Sequence, residues 1–168
     1  MALFSCLLDP KKLPAHRKRI DIRSPVSGTA ACLDESSEAA FQQRLLGEGA
    51  LISVSGFHVI APFDCIVEAL PSTVSRIRIK DRHGLRMQIQ CGVQSQTLYG
   101  AGFKGHVKVG QKVLAGQVLI EFDLRKIKHA MEDPRFTVTI LNSDKTKGIL
   151  LEPKKVTANE DILFSVFI

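Results

Sequence analysis

The motif SPVSGTA at residues 24–30 recurs as APFDCIV at residues 61–67. Each copy has a small residue, a proline, two further residues, a turn residue and then a β-prone run. A third segment, VGQKVLAGQVLIE at residues 109–121, has the same spacing of turn and strand. This internal repeat indicates a fold assembled from duplicated strand and turn units. Glycine in such turns also has an ordinary explanation, because it tolerates positive φ where strands reverse sharply.

Short β-prone runs separated by Gly, Pro, Asn and Asp fill the chain from Ile20 onward. The clearest predicted strands are residues 51–54, 66–70, 77–80, 87–89, 118–122, 136–141 and 162–168. Helical periodicity is weak, and it predicts only two short helices, one around residues 38–46 and one around residues 124–132 that Pro134 ends. The pattern therefore predicts an all-β domain over residues 20–168.

The composition is that of one globular domain with one core, because 45% of the 168 residues are hydrophobic. No apolar run approaches the roughly 18 residues of a membrane span. The apolar residues 2–8 precede the first positive charges, whereas a secretory signal has the reverse order. We therefore expect a cytoplasmic location.

The net charge of +6 is concentrated in the first twenty residues, where five basic side chains face one acidic side chain. This location weighs against a nucleic-acid-binding surface on the domain, so no nucleic-acid partner is predicted. Pro10 and Pro14 interrupt any helix in this region. The sequence predicts a flexible basic arm over residues 1–19, with at most a weak contact to an anionic membrane surface.

The four cysteines, Cys6, Cys32, Cys65 and Cys91, are widely spaced and form no CxxC pair. Neither a zinc site nor a disulfide framework is suggested by this spacing. We interpret them as reduced and mostly buried thiols. No metal or other cofactor is predicted.

The segment GVQSQTLYGAGFK at residues 92–104 resembles the pattern G-I-D-T-V-x-L-x-G-x-G-F of glucose-type enzyme IIA domains. These domains belong to the bacterial phosphoenolpyruvate-dependent sugar phosphotransferase system. The similarity continues through Phe41, Gly84, Gly110, Gly116 and residues 47–49, 61–64 and 121–123. The resemblance implies a barrel-sandwich hybrid, the duplicated hybrid motif that lipoyl and biotinyl domains and lysostaphin-type peptidases also have.

The resemblance also implies an activity, the transfer of a phosphoryl group from the carrier protein HPr to a cysteine of a IIB domain. Family members accept the phosphoryl group on a histidine, and Gln90 stands at that position here. A second family histidine corresponds to Ser75, while a neighbouring family threonine is retained as Thr73. A neutral imidazole has a free nitrogen lone pair, whereas the amide lone pair of Gln90 is delocalised into the carbonyl. The usual phosphate relay is therefore predicted to be lost.

The partner-binding surface of the family maps onto a changed set of residues. Phe41, Leu45 and Leu46 remain apolar, but three positions that usually carry Phe in close members are now Pro71, Arg78 and Gln88. Gln94 replaces an acidic residue. A patch that buried aromatic rings against HPr would here have to desolvate an arginine, which is unfavourable unless the partner supplies an anion.

Strand alternation over residues 76–80 and 86–90 predicts two distinct faces. Ile77, Ile79, Met87 and Ile89 should point into the core. The opposite face should carry Arg76, Arg78, Lys80, Arg86, Gln88 and Gln90. The alternative interpretation of this face is an ordinary exposed sheet surface with solvated charges, which also discourages aggregation.

The alternatives to the loss of the phosphate relay are another phosphate-accepting residue or another class of function. His58, His83, His106 and His129 do not occupy the matched position, and Cys91 should face an apolar environment that raises its pKa. The chain contains no His-x-His pair of a lysostaphin-type metallopeptidase and no lysine in the context of a lipoyl or biotinyl carrier.

Two hypotheses remain. The first is a phosphorylation-incompetent relative of enzyme IIA that acts as a regulatory or protein-binding module. Its protein partners would be phosphotransferase components or a regulated transporter or enzyme. The second is an active phosphocarrier that uses an acceptor residue other than the family histidine.

Overall fold

The computed structural model of the protein describes residues 7–93 and 98–168. Within them the chain forms two α-helices, α1 (Ala39–Gln42) and α2 (Leu124–Ala130), joined by strands and turns. The strands are β1 (Arg19–Arg23), β2 (Gly28–Cys32), β3 (Glu48–Val54), β4 (His58–Ile60), β5 (Cys65–Ala69), β6 (Arg76–Lys80), β7 (Arg86–Gln90), β8 (Phe103–Gly105), β9 (Lys112–Val113), β10 (Val118–Phe122), β11 (Phe136–Ile140), β12 (Gly148–Leu151), β13 (Lys155–Val156) and β14 (Ile162–Phe167). The prediction of an all-β architecture with two short helices is confirmed.

Eight strands form the largest sheet, in the order β13-β2-β3-β11-β7-β6-β5-β9. Two three-stranded sheets, β1-β14-β12 and β4-β10-β8, complete the fold. The neighbouring strands pair in antiparallel register. Across the described residues the sheets have a sandwich-like arrangement and do not close into a barrel.

Alternation along the strands builds the core. Ile77 and Ile79 on β6 and Met87 and Ile89 on β7 are fully buried, as predicted. They join one large apolar cluster that includes Phe136 on β11. Full burial of each such side chain contributes about 1.5–3 kcal/mol relative to exposure, so the inner sheet faces account for most of the stability.

The two copies of the repeated motif lead into equivalent antiparallel strands, β2 and β5. The carbonyl of Pro25 in the first copy accepts a hydrogen bond from the amide of Ile60, at 2.8 Å. In the second copy, Ala61 exchanges two backbone hydrogen bonds with the third segment, one with Gln117 and one with Gly116. The repeat is therefore a structural duplication in which each turn is hydrogen-bonded to a neighbouring segment.

Residues 33–47, which we call the cover segment, cross the outer face of the eight-stranded sheet. Leu33 and Phe41 pack there against Leu51 of β3. Arg44 forms a buried ion pair with Glu48, with Nε to Oε2 at 2.9 Å and side-chain exposures of 1% and 0%. The two buried charges neutralise each other, and they tie the C-terminal part of the cover segment to the first residue of β3.

The N-terminal residues in the described part of the chain contact β12 and the C-terminal residues. Leu7 forms a parallel bridge with Ile149, and the amide of Arg17 donates to the carbonyl of Ile168 at 2.6 Å. β1 begins at Arg19. The division into an arm at residues 1–19 and a domain at residues 20–168 remains a prediction. No helix within residues 7–93 and 98–168 has the length and apolar character needed to cross a membrane.

Candidate functional site

Gln90 is the last residue of β7, on the outer face of the eight-stranded sheet. Its register partners are Arg76 on β6 and Thr137 on β11. The side chain is half-buried, beside the cover segment. The sheet therefore holds Gln90 at the edge between a buried interior and an open surface.

The amide nitrogen of Gln90 acts as a hydrogen-bond donor to two acceptors. Nε2 donates to Oε2 of Glu38 at 3.2 Å and to the carbonyl oxygen of Gly92 at 3.2 Å. Two donated hydrogen bonds account for both hydrogens of an amide group. The nitrogen is thus held as a donor and presents no lone pair to an electrophile.

Glu38 is a site residue that the sequence analysis missed. It lies immediately before α1 and reaches Gln90 across 52 positions of sequence. Strand alternation does not apply to the cover segment, so no periodic pattern pointed to this residue. Its acidic side chain at the first residue of the predicted helix, residues 38–46, was the available signal.

Ser75 and Thr73 lie in the turn that leads into β6. Their hydroxyl oxygens are 2.9 Å apart and share a hydrogen bond, and Ser75 is buried. The carbonyl of Ser75 accepts from the amide of Cys91, the residue after Gln90, at 2.8 Å. The structure therefore brings Gln90, Ser75 and Thr73 to the same end of the β6 and β7 pair.

The backbone of this turn is strained at Val74, between the two hydroxyl residues. Val74 has φ of +55°. A β-branched side chain rarely adopts this left-handed conformation, and such strain costs about 1–3 kcal/mol. The surrounding hydrogen bonds of Thr73 and Ser75 hold the turn in this shape.

Gly92 places the end of β7 against the segment that follows α2. It has φ of +91°, and a Cβ atom there would lie 2.5 Å from the sulfur of Met131. The next residue, Val93, donates its amide to the carbonyl of Asp133 at 3.2 Å. Only glycine fits this close approach without displacing Met131.

Asp133 ties the same region to the cover segment. Its carboxylate accepts from Ser37 at 2.5 Å and from Nε of Arg135 at 2.8 Å. These hydrogen bonds, led by the one from Arg135, lower the pKa of Asp133 to about 2. The charged carboxylate therefore holds the cover segment and the β11 entry together, while the backbone carbonyl of Asp133 binds the amide of Val93 after β7.

The predicted partner-binding residues are only partly exposed. Leu45 is 65% exposed, and Leu46, Pro71 and Arg78 are half-buried at the surface. Gln94 lies outside the described residues.

Two residues of that predicted set lie beneath the surface. Phe41 has 0% exposure because it packs under the cover segment against Leu33 and Leu51. Gln88 belongs to the predicted outer face but is only 1% exposed, and Nε of Arg78 donates to its Oε1 at 2.7 Å. Phe41 and Gln88 are therefore buried beneath neighbouring residues, and their assignment to a partner-binding surface remains a prediction.

Buried hydroxyl groups line the sheet next to Gln88 and Gln90. Thr139 pairs with Gln88 and Thr137 pairs with Gln90 across β11 and β7. In the described part of the chain, Gln88 Nε2 and the Oγ1 atoms of both threonines are buried without a hydrogen-bond partner. The buried layer beneath the site is thus polar, and these three atoms form no hydrogen bonds with one another in the described residues.

Cys91 points away from this face into the core. It is fully buried, and burial raises the pKa of its thiol far above the ordinary value. The expected inward direction of this side chain, its burial and its raised pKa are confirmed. Within residues 7–93 and 98–168, no group of three or more His, Cys, Asp or Glu side chains is arranged to hold a metal ion.

The four histidines considered as other phosphate acceptors lie elsewhere in the fold. His58 is on β4 against Phe57, and His106 follows β8 with Nε2 at 3.1 Å from a carboxylate oxygen of Glu121. His83 is in the turn before β7, so the length of that strand, about 13 Å, separates its backbone from Gln90. His129 is exposed on α2. None of these four residues occupies the position of Gln90.

Comparison with known proteins identifies the family. A family model described as phosphoenolpyruvate-dependent sugar phosphotransferase system, EIIA 1, matches residues 20–146. The glucose-specific EIIA component of Halalkalibacterium halodurans is 33% identical over 125 residues, covering 74% of this chain and 72% of that protein. The lactose permease of Lactobacillus delbrueckii subsp. bulgaricus is 36% identical over 132 residues, and the match covers 78% of this chain.

This chain spans 21% of the length of that lactose permease. Among solved structures, glucose permease IIA from Mycoplasma capricolum has the same fold, with a TM-score of 0.81 and 22% identity over 89% of this chain and 96% of that chain. The family match covers well over half of the sequence, including every described residue of the site up to β11. The chain belongs to the EIIA 1 family of the phosphoenolpyruvate-dependent sugar phosphotransferase system.

Proposed function

We propose that this protein is a glucose-type EIIA protein that does not accept phosphate and acts as a regulatory or protein-binding module. The observation that carries the proposal is the state of Gln90, whose amide nitrogen donates to Glu38 and Gly92. Phosphoryl transfer depends on a positioned nucleophile with a free lone pair. Gln90 has the position but not the lone pair.

Ser75 is at the position where the resemblance places a second family histidine, and its hydroxyl oxygen shares a hydrogen bond with that of Thr73 at 2.9 Å. A serine hydroxyl keeps its proton at neutral pH and attacks only after a base removes it, whereas a neutral imidazole has a free nitrogen lone pair. Serine is therefore not chemically equivalent to the family histidine.

The surface around Gln90 supports the second half of the proposal. Leu45 and Leu46 remain available as apolar contacts, whereas Arg78 introduces a cation where family members usually have an aromatic ring. A changed surface on a retained fold is what a binding module with altered partners requires.

Partners and location follow from the family. The relatives are components of sugar transport systems, and one of them is a permease. We infer protein partners among phosphotransferase components, or a regulated transporter or enzyme, and a cytoplasmic location. These assignments rest on the family membership and not on any contact within the chain.

Phosphorylation can be tested directly by intact-mass measurement. The protein is incubated with phosphoenolpyruvate, enzyme I and HPr, and an active glucose-specific EIIA component is labelled in parallel. We expect the mass of this protein to stay unchanged while the control gains one phosphate. An acid-labile gain of one phosphate on this protein would overturn the proposal in favour of an active phosphocarrier with a different acceptor residue.

A further inference from the structure

Three basic side chains follow one another along the outer face of β6. Arg76, Arg78 and Lys80 occupy alternate positions, and we call them the cation stripe. Arg76 and Lys80 are exposed, and Arg78 is half-buried. Alternate residues of a strand recur about every 6.6 Å, so the stripe presents regularly spaced positive charges.

The charges of the stripe have no counter-ions among the residues that the structure describes. In residues 7–93 and 98–168, no carboxylate oxygen lies within 4.0 Å of a nitrogen of Arg76, Arg78 or Lys80. A half-buried guanidinium without an anion is costly, because partial burial removes hydration that nothing replaces. Binding of an anionic group from a partner molecule would therefore be favourable at Arg78.

Gln88 holds Arg78 in this position. It is 1% exposed, and its Oε1 accepts a hydrogen bond from Nε of Arg78 at 2.7 Å. This contact occupies the inner edge of the guanidinium and leaves the two terminal nitrogens for a ligand. A guanidinium that is fixed before binding loses less entropy when it pairs with a carboxylate.

The acidic groups near the stripe are already engaged. Glu68 pairs with Nε of Arg86 at 2.8 Å, and Glu38 accepts from Gln90. The carboxylate of Asp81 accepts the backbone amides of His83 and Leu85 in the turn after β6. None of these acids lies within ion-pair distance of the stripe.

An apolar depression adjoins the Lys80 end of the stripe. It has a volume of about 330 Å³ and contains the exposed side chains of Ile66 and Leu114. Ile66 is the register partner of Lys80 across β5 and β6. A ligand that follows the stripe therefore meets an apolar pocket at one end.

We propose that the cation stripe binds an extended acidic segment of a partner protein, with carboxylates at alternate residues and an apolar side chain in the depression at Ile66 and Leu114. An extended peptide repeats its side chains at the spacing of the stripe. β6 is an interior strand, paired with β5 and β7, so the recognition uses side chains and not added backbone pairing. This inference rests on the proposed function, because it needs the outer face free for a partner.

The composition of this surface favours an acidic protein over a nucleic acid. Single-stranded nucleic acids are held by aromatic side chains on which the bases stack. The stripe and the residues lining the depression include no Phe, Tyr, Trp or His. Carboxylates that pair with arginine, and an aliphatic residue for the depression, match the chemistry that is present.

The test measures binding of a fluorescent peptide by anisotropy at low salt. The probe peptide has three Glu residues alternating with Thr and ends in Leu, and its scrambled version has the same residues with the Glu contiguous. Arg78→Gln and Arg76→Gln remove charges of the stripe. Lys155→Gln removes one exposed charge from β13, at the opposite edge of the same sheet, and serves as the charge-matched control.

We expect the alternating peptide to bind more tightly than the scrambled peptide, and Arg78→Gln to weaken its binding about tenfold. Arg76→Gln should weaken it about threefold, whereas Lys155→Gln should change it less than twofold. Equal affinity for both peptides, equal effects of the three variants, or tighter binding of oligothymidylate or anionic vesicles than of the peptide would each overturn the inference. The binding assay contains no phosphoryl donor. Loss of peptide binding would therefore overturn this inference alone, whereas a phosphate gain in the mass assay would overturn the proposed function.

Discussion

At the scale of single residues, the proposal depends on Gln90, which stands where the family resemblance places a histidine. Its contacts with Glu38 and Gly92 use its amide nitrogen as a donor. Ser75, which the resemblance matches to a second histidine, lies at the same end of the sheet and shares a hydrogen bond with Thr73. Under the proposed function, neither position supplies an imidazole.

The substitution Gln90→His tests whether the acceptor alone is missing. We expect this variant to remain unphosphorylated by HPr, because Ser75 and the Arg78 surface are unchanged. Intact-mass measurement with an active EIIA control would check this. Efficient phosphorylation of the single variant would show that HPr still docks despite Arg78 and Pro71.

The substitution Thr139→Val tests the energetic cost of the buried polar layer beneath the site. The Thr139 hydroxyl is buried without a partner in the described residues, and valine has nearly the same shape. Removing a buried unsatisfied hydroxyl should stabilise the protein by about 1 kcal/mol in urea unfolding. The matched control is Ser165→Ala, which removes a buried hydroxyl that donates to Asp21 at 2.6 Å. The control should destabilise the protein, and a loss of stability in both variants would contradict the prediction.

At the scale of elements, the cover segment determines how much of the outer sheet face is open. α1 has only four residues, too few for an isolated helix to be stable. Tertiary contacts therefore hold the segment, through Phe41 in its small apolar cluster and through the buried pair of Arg44 and Glu48. The position of Glu38 beside Gln90 depends on these contacts.

The substitution Arg44→Met tests this dependence. It leaves the Glu48 carboxylate buried without its cation, which should cost about 3–5 kcal/mol in urea unfolding. Arg86→Met is the control, because it breaks the more exposed ion pair with Glu68 and should cost less than about 1 kcal/mol. Similar losses in the two variants would show that the buried pair does not stabilise the cover segment.

At the scale of the whole molecule, Asp133 connects three parts of the structure that are distant in sequence. Its carboxylate binds Ser37 of the cover segment and Arg135 at the start of β11, and its carbonyl binds Val93 after β7. Hydrogen bonds lower the pKa of this carboxyl group from 3.8 to about 2. Folding is therefore linked to the ionisation of Asp133.

The free energy of unfolding should decrease as the pH is lowered through the range in which the Asp133 carboxyl group takes up a proton. The folded pKa lies below the unfolded pKa, so the contribution is fully present above pH 3.8 and is lost as the pH falls towards 2. A shift of this size corresponds to about 2 kcal/mol. Urea unfolding of the wild type and of Asp133→Asn should differ at pH 6, and the difference should shrink by pH 2.5. A difference that stays constant with pH would contradict the linkage.

The fold was largely predictable from sequence, because local patterns determine its strands and turns. The repeated turn motif and the alternation over residues 76–80 and 86–90 predicted β strands and an inward row that includes Ile77 and Ile89, as observed. The short helices were marked by Pro134 and by the lack of strand alternation around residues 38–46. The spacing of the family pattern around Gly92 led us to predict Gln90, Ser75 and Thr73 as site positions, and all three lie at the same end of the β6 and β7 pair.

The exposure of the binding surface was less predictable, because alternation assigns a face but not what covers it. Gln88 is on the predicted outer face, yet Arg78 lies against it and leaves 1% of it exposed. Phe41 and Glu38 belong to a segment whose path across the sheet is fixed by the buried Arg44 and Glu48 pair. Pairing between distant residues of this kind has no local signature in sequence.

Sequence alone was enough to establish the type of fold and the family pattern, because each depends on residue identity and near spacing. The accessible surface required the folded chain. Glu38 meets Gln90 across 52 residues, and Asp133 meets Ser37 across 96. Only packing brings such groups together, because burial and hydrogen-bond geometry are properties of the assembled sheets.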